Sequence, residues 1–305
     1  ATGFYDYQTN GECKHYIYRY APDNLSAIFT ISIDSTDINN SRRTVYCYST
    51  NEGTTWESIG EVPQSIRSGF PSMTVKNTGE AVISNHFLVS GILRGVVFVD
   101  VAPLAGTFEQ TITPNNISWP GNSILSNGYI MVAGSTYHNS AATDTGIITS
   151  FNGVSFLNTT KFTINGVDQY QMRWTYAAGP GGKALFLLDP LNDIGGNNGD
   201  NRMFISFTTN NGMNWVQPMI EFYNPQVLLG EYAVPYYGLD AIYDAAGNYY
   251  VAFNTQNTLA EFSSSRLWVS KNGGIPVLVA QHTGLNGIPE AASTLVNPQA
   301  GICTI

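Results

Sequence analysis

Charge is scarce in this chain. Only 11% of its 305 residues are Asp, Glu, Lys or Arg, with 13 basic against 22 acidic. A net charge of −9 with no cluster of Lys and Arg argues against nucleic-acid binding. Long apolar runs are also missing: none approaches the roughly 18 residues that a membrane-spanning helix needs. No window places apolar residues at helical spacing over several turns, which excludes a helix-rich fold. His15, His86, His138 and His282 are scattered and show no metal-ligand spacing, so a zinc site is not expected. The chain starts at Ala1 rather than at a Met and shows no signal peptide, which reads as a processed or trimmed start.

Tyr, Phe, Thr, Val and Ile are plentiful and broken by 30 glycines, the pattern of an all-β chain. At 43% hydrophobic residues there is material for a large core, and no composition break marks a second domain. The polar surface is made of Asn, Thr, Ser and Gly rather than Lys and Glu, which suits an extracellular or cell-surface protein. Asn24, Asn39, Asn116 and Asn158 each begin an Asn-x-Ser/Thr sequon, a glycan acceptor only in a eukaryotic secreted protein.

Two stretches organise the rest. Ser49-Thr50-Asn51-Glu52-Gly53-Thr54-Thr55-Trp56 follows the alternating run 44–48, and Thr208-Thr209-Asn210-Asn211-Gly212-Met213-Asn214-Trp215 follows 202–207. In each, Asn tolerates the turn conformation and bonds its own backbone, Gly takes a positive φ, and Trp packs under the turn. Decayed copies occur at Ser150–Phe156, Ser270–Gly274 and Asp100–Phe108. Between them recur hairpins whose turn glycines, Gly79, Gly128, Gly182, Gly247 and Gly301, are 49 to 65 residues apart. These boxes resemble the Asp box of sialidase-like β-propellers, with Asn in place of Asp. The resemblance implies a six-bladed β-propeller of four-stranded antiparallel blades, against a sandwich or another repeated β-fold. The blades run 14–65, 66–114, 115–168, 169–230 and 231–284, with a sixth at 285–305 completed by residues 1–13, all in one domain. A partner chain, a further domain or a second copy could instead complete the last blade. Both box tryptophans are expected to be buried. Cys13 and Cys303 lie near ends that a propeller joins and would either pair or remain buried thiols, leaving Cys47 over.

In such a propeller, the prolines of Phe70-Pro71, Trp119-Pro120, Val234-Pro235 and Ile288-Pro289 mark where inner strands begin, at the rim of a ligand-bearing face. The loops of that face offer Phe70, Gln169, Gln171, Glu290, Asp34, Asp37, His86, Tyr137 and Asn254. They also offer the set taken as ligand-binding: Arg67, Trp119, Arg173, Trp174, Glu231, Tyr232, Tyr236, Tyr237, His138 and Asp189. Aromatic faces beside carboxylates and amides suit sugars, and they suit equally well as plugs between blades. Sialidases, by the same resemblance, hold a carboxylate with three arginines. Here Arg67 is displaced by three residues from the matching motif, Arg173 is a second candidate, and only Arg19 remains as a third. No sialidase activity is therefore expected, and no catalytic residue is assigned. Asp193, Asn197 and Asp200 in the insertion 192–201 could hold Ca²⁺, although their spacing matches no calcium loop. No other cofactor is expected. The expected function is a non-catalytic propeller that binds a glycan or a protein; the alternative is a glycoside hydrolase or lyase on the same scaffold.

Overall fold

Strands form where β-branched and aromatic residues run together, and they stop at turns built on Gly and Asn. The computed structural model describes residues 15–136, 145–162, 164, 171–191, 202–224, 229–230, 232–233, 239–256 and 264–283. Among them lie five antiparallel sheets. The first holds β1 (Ile17–Arg19), β2 (Leu25–Ser32), β3 (Arg42–Ser49) and β4 (Glu57–Glu61), with the single turn α1 (Ile38–Ser41) between β2 and β3. The second holds β5 (Gly69–Val75), β6 (Ala81–Val89), β7 (Ile92–Asp100) and β8 (Phe108–Ile112). The third holds β9 (Ser118–Ile124), β10 (Ile130–Ser135), β11 (Gly146–Phe151) and β12 (Phe156–Phe162). The fourth holds β13 (Gln171–Ala178), β14 (Ala184–Leu191), β15 (Met203–Thr208) and β16 (Ile220–Tyr223). In the fifth, β17 (Tyr232–Ala233) and β18 (Leu239–Tyr243) both pair with β19 (Tyr249–Gln256), followed by β20 (Ser264–Lys271) and β21 (Val277–Thr283).

The expected count of six blades is corrected to five sheets. An apolar run such as Ala292–Ile305 signals a strand but names no partner, and the expectation of a sixth blade rests on that run with residues 1–13. Both segments lie outside the described residues. So do Cys13 and Cys303; Cys47 is a free, half-buried thiol. Among the described residues no helix is long and apolar enough to cross a membrane.

The chain forms two compact units. One comprises Ala1–Ile124, Gly128–Tyr137 and Ile147–Thr159; the other comprises Leu125–Asn127, His138–Gly146 and Thr160–Ile305. In the first unit the second sheet is covered on both faces. Ile83, Val96 and Phe98 pack with Ile28 and Tyr46 of the first sheet. Their strand neighbours Val82 and Val97 point the other way, onto Ile117, Ile130, Val132 and Ile147. Period-two geometry thus turns the continuous apolar runs of β6 and β7 into two separate cores. In the second unit, Leu185, Leu187, Met203 and Ile205 pack against Leu239, Ala241, Val251 and Phe253.

The two box turns share one hydrogen-bond network. Ser49 Oγ accepts from the Gly53 N–H at 2.9 Å, and Asn51 Oδ1 accepts from the Thr55 N–H at 2.9 Å. Thr208 Oγ1 and Asn210 Oδ1 do the same for Gly212 and Asn214, at 3.2 and 3.0 Å. The tryptophans differ. Trp215 is 9% exposed and meets the Phe162 ring edge-on at 5.8 Å. The expectation of burial fails for Trp56, which is 42% exposed. Trp56 lies along Gly53, and its indole N–H donates to the Gly53 carbonyl at 3.0 Å. The matching turn leaves the Trp215 indole nitrogen buried without such a bond, so the turn sequence fixes neither that contact nor the burial of the ring.

Candidate functional site

Two inner strands of the first unit begin in the same unusual way. Phe70 and Trp119, each followed by proline, have φ of +52° and +46°. That region is sparsely populated for bulky side chains and costs on the order of 1–3 kcal/mol per residue, so surrounding contacts must enforce it. Both positions sit at bulges, where pairing shifts between Gly69 and Ser72 in β5 and between Ala133 and Ser135 opposite the start of β9. A bulge re-aims the side chain it carries.

Side chains of the preceding sheet's second strand hold each bulge. The Phe70 N–H donates to Thr30 Oγ1 of β2 at 3.3 Å, and the Trp119 N–H donates to His86 Nδ1 of β6 at 2.9 Å. Further along, Ser84 Oγ donates to the Pro120 carbonyl at 2.6 Å and accepts from Asn122 Nδ2 at 2.8 Å. Proline removes the ladder donor at position 120, and alternate β6 residues 84 and 86 supply replacement contacts. Before the bulge, fully buried Ile117 lies over two glycines. A Cβ on Gly95 would come within 3.1 Å of the Ile117 side chain, and one on Gly134 within 2.5 Å of it.

This framework gathers four side chains. Phe70, His86 and Trp119 form a ring cluster, with centroids 5.6 Å apart for Phe70–His86, 5.5 Å for His86–Trp119 and 6.1 Å for Phe70–Trp119. Arg42, at the start of β3, lays its guanidinium 4.7 Å from the centre of the Phe70 ring. Its stem fits because position 69 is glycine, where a Cβ would approach Arg42 Cδ at 3.3 Å. Arg42, Phe70 and His86 are buried, while Trp119 is half-buried, with its indole nitrogen among the buried atoms. Arg67 is committed to the α1 turn: Nε donates to the Asn39 carbonyl at 2.7 Å and a terminal nitrogen to Asn39 Oδ1 at 2.8 Å. Asp37 caps that turn, accepting from the Asn40 N–H.

His86 is neutral here. Burial first, then the positive charges of Arg42 and Arg67, push its pKa from 6.5 down to about 3. An unfolded chain takes up a proton near pH 6.5 where the folded one does not. The histidine's contribution to stability is therefore complete above about pH 6.5 and is lost as pH falls toward 3. We expect the urea midpoint of the wild type to drop between about pH 7 and about pH 4.5 by more than that of His86→Asn. Equal slopes in the two proteins would show that His86 carries none of the acid sensitivity.

The residues singled out by sequence fall as follows. Trp119 stands in the cluster and Arg67 beside it. The register of β13 and β14 sets Arg173 directly opposite Asp189. Trp174 is buried at 2% exposure, inside the second unit rather than on a surface. Tyr232 lies in β17, opposite Gln256 of β19. His138, Glu231, Tyr236, Tyr237 and the Asp193, Asn197 and Asp200 loop lie outside the described residues. Arg19 is exposed at the opposite end of the first sheet, where it pairs with Glu52 of the box turn at 3.1 Å, so it does not join Arg42 and Arg67. Arg42 escaped the sequence reading altogether. The only signal was an Arg-Arg pair opening a strand, and what selects Arg42 is the glycine at position 69, 27 residues later.

No protein-family model matches the chain, and no curated protein does. Solved structures do. An alpha-L-arabinanase of Penicillium chrysogenum complexed with arabinobiose matches at 13% identity over 87% of this chain and 81% of that one, with a TM-score of 0.57. The polysaccharide lyase Uly1 matches at 8% identity over 86% and 71%, with a TM-score of 0.53. The alpha-L-arabinofuranosidase ARB93A of Fusarium graminearum, in complex with an iminosugar inhibitor, matches at 12% identity over 83% and 79%, with a TM-score of 0.51. At such identities the likeness is one of fold, an all-β fold of propeller type. This corrects the expectation of a non-catalytic propeller: the neighbours are two glycosidases and a lyase, and they favour the alternative stated beside it. The sialidase resemblance narrows to this shared propeller-type architecture.

Proposed function

We propose that the chain is a glycan-cleaving enzyme, a glycoside hydrolase or a polysaccharide lyase, acting outside the cell. The observation that carries this reading is the pair of aromatic residues, Phe70 and Trp119, held at positive φ beside Arg42 on a scaffold shared with such enzymes. Backbone strain of this kind is retained where a side chain must be presented in one direction. In the proposed site the half-buried Trp119 indole offers a stacking face for a sugar ring, with Phe70 and His86 as its rigid backing. Arg42, desolvated against Phe70, supplies a fixed positive charge that a flexible surface lysine would not.

One observation favours the lyase form on an acidic glycan. Arg42 and Arg67 are both close enough to act on His86 through charge. A carboxylate-bearing sugar would be drawn to that positive field, and neutralising its carboxylate is what proton abstraction beside it requires.

The test is product release from debranched arabinan and from polygalacturonate by the purified chain. Hydrolysis yields new reducing ends alone; elimination also yields an ultraviolet-absorbing double bond. Trp119→Ala and Arg42→Ala are each expected to lower kcat/KM by about a hundredfold, the loss typical of a misplaced substrate. Activity unaffected by either substitution would place the site elsewhere.

A further inference from the structure

We propose that His86 is a positioning residue: through Nδ1 it holds the Trp119 backbone in the conformation that presents the indole, and it exchanges no proton in doing so. The inference rests on the site reading above only for what Trp119 then does.

The geometry restricts the imidazole to one state. The Trp119 N–H donates to Nδ1 at 2.9 Å, so Nδ1 offers a lone pair and the ring proton sits on Nε2. An imidazolium has no such lone pair. Protonation would turn the acceptor into a second donor facing the Trp119 N–H. The ring packs against both Phe70 and Trp119, with centroids at 5.6 and 5.5 Å, and is buried. The charged groups acting on it are Arg42 from β3 and Arg67 from the approach to β5, and both oppose a further positive charge.

The first unit also contains an internal control. Phe70 stands in the equivalent place one sheet earlier, with φ +52° before a proline. Its N–H is held by Thr30 Oγ1, from the second strand of the preceding sheet, as His86 belongs to the second strand of its own. A threonine hydroxyl does not titrate near neutral pH. What recurs is an acceptor for the N–H of an aromatic residue at positive φ, not an acid or a base. At the second position the acceptor is an imidazole, which also packs against both the Phe70 and the Trp119 rings. With the Nδ1 lone pair taken by the Trp119 N–H and the ring proton on Nε2, neither nitrogen has a free lone pair with which to accept a proton or ligate a metal.

The experiment uses the full chain labelled with ¹⁵N, deuterated for size. Imidazole nitrogen shifts should show Nδ1 unprotonated and Nε2 protonated from about pH 8 to about pH 4.5, with no inflection where a free histidine titrates. His86→Leu keeps the volume and removes the acceptor; His86→Asn places Oδ1 as many bonds from Cα as Nδ1. Amide exchange at Trp119, relative to Ile83 of the same strand as His86, should quicken about tenfold or more in His86→Leu and stay within about threefold in His86→Asn. If His86→Leu fails to fold, the asparagine variant and the imidazole shifts still decide. Titration of His86 between about pH 5 and about pH 8 would overturn the proposal, as would Trp119 exchange that quickens only in step with Ile83. Binding of polygalacturonate or debranched arabinan should fall alike in His86→Leu and Trp119→Ala, without adding in the double variant. If neither polysaccharide binds the wild type, the functional reading fails, while the exchange data still test the hold of His86 on the Trp119 backbone.

Discussion

Trp215→Ala is expected to cost about 3–5 kcal/mol, the usual loss for truncating a buried large aromatic, whereas Trp56→Ala should cost about 1 kcal/mol. The two residues end turns with the same Ser/Thr and Asn hydrogen bonds, so turn propensity cannot separate them. Burial does. Trp215 sits against Phe162, which itself stacks on fully buried Phe186 at 5.1 Å, so removing the indole opens a cavity under two further rings. Removing the Trp56 indole loses one hydrogen bond to Gly53 and a partly wet contact. Urea unfolding followed by far-ultraviolet circular dichroism measures both. A Trp56→Ala loss as large as that of Trp215→Ala would contradict the burial seen here.

Gly134→Ala should be the most damaging small change near the site, at roughly 2–3 kcal/mol, the upper part of the range for overpacking. The added methyl would lie 2.5 Å from Ile117 Cγ2 and 2.8 Å from the Ser118 carbonyl oxygen. The first neighbour is a side chain locked in a full core; the second is backbone at the start of β9, one residue before Trp119. Relief of either pushes the bulge that aims the indole. Activity should therefore fall along with the unfolding midpoint. The double variant with Ile117→Ala should lose less than the two single losses added together, because one of the two clashes is gone. Strict additivity would mean that Ile117 and Gly134 do not bear on each other.

Several features of this protein are determined by local chemistry and can be read without coordinates. The alternating runs make strands, and Asn-Gly turns end them. Proline after Phe70 and after Trp119 marks where inner strands begin, because a residue without an N–H is tolerated there. Trp119 could be singled out for that reason alone. The rest depends on which strand lies over which, information that no single stretch contains. The sheet count is one case, since a strand-like run does not disclose its partner. The unequal burial of Trp56 and Trp215 is another. At the candidate site, Arg42, Thr30 and His86 come from three different strands and meet only because β2, β3 and β6 pack beside the starts of β5 and β9. Their roles rest on distances to residues about 30 to 40 positions away in sequence. The turn chemistry of each hairpin therefore belongs to the sequence, whereas the site belongs to the packing of sheets that brings distant acceptors to two strained backbone amides.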